Sequence, residues 1–187
     1  MTPQNQAYYI FGHKIYPPKE KEDFYAPLLQ RANELLYKYD RRIKMTNSNY
    51  DLLIIAAIKI IAYKEKDMLI PYGVIIKDLF PNEKVKSSNV KDYIKTLASL
   101  EQIHYPIAYT EDEFDKYINF VANYLSLDKQ QVKELRKECE SIKDECHDPN
   151  PEKILKSALS ALYGLGEKDE NLSLEKLLEK IENLHKI

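Results

Sequence analysis

Tryptophan is absent from this chain, glycine occurs four times and cysteine twice in 187 residues. Each scarcity removes a class of molecule. Four scattered glycines leave no glycine-rich loop to cradle a phosphate and no flexible glycine-serine linker between domains. Two cysteines exclude a disulfide-built scaffold. Cys139 and Cys146 fall in KECESIKDECH; on a helix they would stand two turns and roughly 10 Å apart, beyond disulfide reach. His147 adds at most half a metal site, because no CxxC and no second ligand pair completes it, so plain thiols are the stronger reading and no metal or other cofactor is expected.

Catalytic signatures are missing too. His13, His104, His147 and His185 sit in unrelated contexts, and no serine or cysteine lies in a nucleophile motif. The carboxylates Glu111, Asp112 and Glu113 are accounted for by capping a helix and by solvation. An enzyme, and with it a small-molecule substrate, is not expected. No apolar run is long and uncharged enough for a membrane span, and the opening MTPQNQAYYIFGHKIYPP has neither a basic leader nor a long apolar stretch. The expected location is cytoplasmic, at the nucleoid if the protein binds DNA.

What is present is a core. Hydrophobic residues make up 44% of the chain, ordinary for a packed domain. The net charge of −2 hides a split: residues 1–103 carry 16 Lys and Arg against 12 Asp and Glu, and residues 104–187 carry 12 against 18. Any contact with nucleic acid therefore belongs to the first half, since a phosphate-binding module needs a local excess of cations.

An alanine-studded apolar helix occurs twice about 100 residues apart, as SNYDLLIIAAIKIIAY from Ser48 and NPEKILKSALSALYGLG from Asn150. Small residues let neighbouring helices approach closely, so each copy reads as the central rod of a small bundle, wrapped by its neighbours. Helix one is expected over Pro27 to Arg42, with Leu28, Arg31, Leu35 and Tyr39 on one face and Leu29, Ala32 and Leu36 widening it. Ser48 with Asp51 marks the start of the first rod. PYGVIIKDLF, NEKVKSS and NVKDYIKTLASLEQI then read as helix, turn and helix, with Val90, Tyr93, Ile94 and Leu97 inward. Thr110 with Glu113 and Asp128 with Gln131 are candidate capping boxes for the next two helices. The second of these repeats Val132, Leu135, Cys139, Ile142 and Cys146 at helical spacing. The last sixteen residues form one more amphipathic helix. No alternation outside the first eighteen residues argues for a sheet, so the expected class is all-α.

In this order the segments resemble the cyclin-type core of the general transcription factor B of archaea and eukaryotes. FDKYINFVANYLSLDKQQVKEL resembles the opening of that family's second repeat, and SALSALYGL its alanine-rich central helix. LLQRANELLYKYDRR, the Ser48 rod and the helix pair from Pro71 to Leu100 resemble the last four helices of a first repeat. Residues 1–18, polar and aromatic with Gly12 and the pair Pro17–Pro18 and no helical period, read as an extended aromatic arm; the resemblance implies a first cyclin-like domain with a helix-turn-helix at 19–104 and a second at 105–187. The sequence departs from the family's pattern in showing no zinc ribbon and a second repeat that ends one helix early. The implied function is a docking protein that modulates transcription initiation through contacts with the transcription machinery; the alternative is a protein-only helical interaction module.

Three groups of candidate site residues follow. Lys84, Lys86, Lys91 and Lys95 flank or occupy the second helix of the helix-turn-helix, where they would meet double-stranded DNA phosphates or form a solvated face. Arg41, Arg42 and Lys44 form the densest basic cluster, explained by the dipole at a helix end or by a phosphate or acidic partner. On the arm, Tyr8, Tyr9, Phe11 and Tyr16 either anchor a protein partner or pack across their own domain.

Overall fold

The computed structural model describes residues 6–42, 50–81, 87–106, 113–145, 150–166 and 172–184, the side chains of 87–89 excepted. Ser48, Thr110, Glu111, Asp112, Cys146, His147 and His185 lie outside the described residues, as do Lys44, Lys84 and Lys86. Among the described residues the fold is all-α apart from one small hairpin. By contacts the chain divides into two compact units, Met1–Ile107 and Ala108–Ile187.

The first unit opens with strands β1 (Tyr8–Ile10) and β2 (His13–Ile15), paired antiparallel with Tyr8 opposite Ile15 and Ile10 opposite His13. The arm is thus a hairpin and not a single extended segment. Its two-residue turn places Phe11 at φ 51° and Gly12 at φ 84°, the pair of positive angles that matches the twist of the strands. A 3₁₀ turn at Lys19–Lys21 leads into α1 (Glu22–Lys38). The helix begins five residues before the expected Pro27: Glu22 and Asp23 occupy its first turn, where carboxylates are favoured, and Pro27 forfeits one backbone bond. It also ends before Arg42. Leu28, Leu29, Ala32, Leu35 and Leu36 are buried as their spacing requires, whereas Arg31 faces outward and bonds Glu65 at 2.8 Å and Glu34.

Helix α2 (Tyr50–Lys66) touches α1, α3 (Tyr72–Leu79) and α4 (Ser87–Leu100). Leu53 through Ile58 and Ile60 through Ala62 are at most 1% exposed, so the rod is sealed nearly all round. Lys59 is accommodated because its ammonium reaches the carbonyl of Ile70 at 2.5 Å. On α4, Val90, Ile94 and Leu97 are buried and Tyr93 is half-buried.

Polar bonds of long sequence range tie this unit. The hydroxyl of fully buried Tyr25 donates to Asp78 Oδ2 at 2.5 Å. At the other end of α1 the Tyr39 hydroxyl donates to Glu101, and Lys38 and Lys64 reach the same carboxylate at 3.1 and 3.2 Å. Burial would raise the Glu101 pKa, but the three donors outweigh it and hold the carboxyl below its ordinary value.

The second unit comprises α5 (Phe114–Tyr124), α6 (Lys129–Glu145), α7 (Pro151–Leu162) and α8 (Leu174–Leu184). Helix α7 touches α5, α6 and α8. It buries Ile154, Leu155, Ala158 and Leu159 but leaves Ala161 and Leu162 exposed, so the expected all-round wrapping fails on one side. Asp128 and Gln131 form the reciprocal capping box: Gln131 N donates to Asp128 Oδ1 at 2.8 Å, and Asp128 N to Gln131 Oε1 at 2.9 Å. Asn150 caps α7 by accepting from Glu152 N at 3.0 Å, with Pro151 at the first helical position. On α6, Leu135 and Cys139 are buried while Val132 and Ile142 are half-buried. Burial pushes the Cys139 thiol up to about 12, which leaves it protonated and inert.

Helices α4, α5 and α7 stop at a left-handed residue, Gln102, Ser126 and Gly164, and each is closed by a bond from the following amide to a carbonyl five residues back. Asp67 takes the same conformation after α2. A chain short of glycine here places polar residues in the conformation glycine usually supplies.

Candidate docking surface

The hairpin positions its side chains by strand alternation. Tyr8, Ile10, His13 and Ile15 share one face, and Ile10 and Ile15 are buried at 1% and 3%. Tyr9, Lys14 and Tyr16 take the opposite face, where Tyr9 is 59% and Tyr16 50% exposed. The Lys14 ammonium stands 5.8 Å from the Tyr9 ring centroid, a cation–π distance. The turn is latched to the first unit by the Phe11 N–H, which donates to Asn33 Oδ1 on α1 at 2.7 Å.

The four expected anchors therefore separate. Tyr9 and Tyr16 remain available. Tyr8 is tied inward, its hydroxyl donating to Glu22 at 2.9 Å, and Phe11 is half-buried in the turn. Phe11 opens an aromatic run that the sequence reading missed: its ring lies 4.9 Å from Tyr37 on α1 and 6.1 Å from Tyr50 on α2, and Tyr50 lies 4.4 Å from His13. Tyr37 is 56% exposed. Its signal in the sequence is an aromatic ring on the polar face of α1, between Glu34 and Lys38. Beside the hairpin, a groove of about 300 Å³ is lined by His13, Lys14 and Ile15 on one side and by Asp51, Leu79 and Phe80 on the other.

The basic candidates fall in two places. Arg41 and Arg42 are exposed in the turns that follow α1, and Lys91 and Lys95 are exposed one helical turn apart on α4. Exposed Asp92 lies beside Lys91, which weakens the local positive field. Among the described residues no group of three or more His, Cys, Asp or Glu converges as a metal site, and no helix is long and apolar enough to cross a membrane. No family model, curated protein or solved structure matches the chain.

Proposed function

We propose that this protein is a docking platform of the transcription-factor-B kind, which modulates transcription initiation by holding a protein of the transcription machinery on its hairpin face while Lys91 and Lys95 rest against DNA backbone. The observation that carries the reading is the pair of exposed rings, Tyr9 and Tyr37, presented by a hairpin latched at Phe11 and by α1. Rings held in place lose little entropy on binding, which is why fixed aromatic residues anchor interfaces. Helix order supports the kinship. Among the described helices α2 is the second of four in its unit and α7 the third of four in its own. If the repeat has five helices with the alanine-rich one central, the first unit presents helices two to five and the second presents helices one to four. The mechanism is bridging or competition, with no bond made or broken.

Exposed Asp92 and the separation of Arg41 and Arg42 from Lys91 and Lys95 in sequence favour the second reading, a protein-only module. Binding to labelled duplex DNA, AT-rich and random, over a salt series starting near ~50 mM divides the two. The first reading expects affinity that falls steeply with salt and drops when Lys91 and Lys95 become Glu. Absence of binding at the lowest salt removes DNA and leaves the protein-only module.

A further inference from the structure

The pairing register of the hairpin determines which main-chain groups it leaves open. In an antiparallel pair, residues that exchange hydrogen bonds alternate with residues that do not. A two-residue turn is closed by a bonded pair, here Ile10 with His13, so Tyr8 with Ile15 is also bonded and Tyr9 with Lys14 is not. The N–H and C=O of Lys14 consequently point away from β1, and the same alternation turns those of Tyr16 outward. Among the described residues neither amide has a partner. Pro17 and Pro18 then end the row, because proline has no N–H to offer. It is β1 that lies against α1; β2 borders the groove.

We infer that the β2 edge is a strand-addition site for an extended, acidic peptide segment of a protein partner. Outward N–H and C=O groups beside a groove with Leu79 and Phe80 across it suit an added strand, whose main chain supplies the complementary bonds and whose alternate side chains enter the groove. Charge chooses the occupant. Residues 6–18 carry Lys14 and no carboxylate. Asp51, across the groove, stands in the first turn of α2, where the helix N-terminus compensates its charge. A second copy fits poorly: two β2 edges related by a twofold axis at Lys14 would set Lys14 against Lys14, and like charges directly opposite are destabilising.

This inference rests on reading the hairpin face as a docking surface, and its test separates the two. Full-length protein is titrated with a fluorescent, end-blocked Val-Glu-Val-Glu-Val peptide, followed by anisotropy and by amide spectra of ¹⁵N-labelled protein. Binding is expected with new hydrogen-exchange protection at the Lys14 and Tyr16 amides. Affinity falls roughly five- to tenfold for Lys14→Glu, and the Lys analogue of the peptide reverses that preference. N-methylating alternate peptide amides abolishes binding. Equal affinity for the N-methylated peptide overturns the inference, as does preferential binding of a single-stranded oligonucleotide at the same amides. Self-association that protects those amides without peptide also overturns it. If the peptide fails while a photo-crosslinker at Tyr9 still captures a purified initiation protein, the edge inference falls and the docking reading stands.

Discussion

Helices α2 and α7 carry the same kind of sequence in different surroundings. On α2, Ala56, Ala57 and Ala62 are all sealed; on α7, Ala158 is sealed while Ala161 and Leu162 meet solvent. Their units are also fastened differently. In the first, Tyr25 reaches Asp78 over 53 residues and Lys38 reaches Glu101 over 63. In the second, the Asp128–Gln131 and Asn150–Glu152 caps span 3 and 2 residues, and the Arg136–Asp115 pair that joins α6 to α5 at 3.5 Å is between exposed groups. A sealed rod with long-range ties makes a stiff base for a projecting hairpin, whereas local caps secure each helix end separately.

The largest effect expected from this contrast comes from truncating one residue on each rod. Ile58→Ala removes a side chain with no exposure and lowers stability by about 2–5 kcal/mol, while Leu162→Ala, at 39% exposure, changes it by less than about 1 kcal/mol. Urea unfolding of both variants checks the pair; similar losses would break the contrast. Next comes Glu101→Gln, expected to cost about 1.5 kcal/mol by weakening charged hydrogen bonds. Because the folded pKa of Glu101 is lowered, its contribution is present above the unfolded glutamate value of about 4.3 and is lost as pH falls through the lower folded value. The variant should therefore show a shallower loss of melting temperature below that pH. Asn150→Ala, which removes only a local cap, should cost about 1 kcal/mol, seen as faster amide exchange in the first turn of α7. Smallest is Ser126→Gly, which relieves a left-handed serine and should raise the melting temperature by the equivalent of a few tenths of a kcal/mol.

Legibility in the sequence followed range. The Asp128 box, the Asn150–Pro151 start and the buried α2 rod are written in neighbouring residues, and the structure places them as expected. The start of α1 lies ahead of the point where the apolar spacing begins at Leu28, because its first turn is made by Glu22 and Asp23 and Pro27 sits inside the helix. The hairpin escaped notice because its strands are three residues long and its turn is Phe-Gly, outside the usual Asn-Gly or Asp-Gly signal. Tyr9 and Tyr16, two of the four aromatic residues singled out on the arm, are exposed. The Phe11–Tyr37 contact and the groove could not, since they join segments that only the tertiary fold brings together.

Long-range ties also impose an order on synthesis. Tyr39 leaves the ribosome 62 residues before Glu101, an interval of about 3–12 s at ordinary translation rates. During it the C-terminal end of α1 and the α2 rod stand exposed without the carboxylate that joins them. The second unit's caps close within three residues of their own synthesis. The tie of the first unit thus waits on distant synthesis where those caps do not, and nascent chains halted before Glu101 should be the ones that chaperones hold.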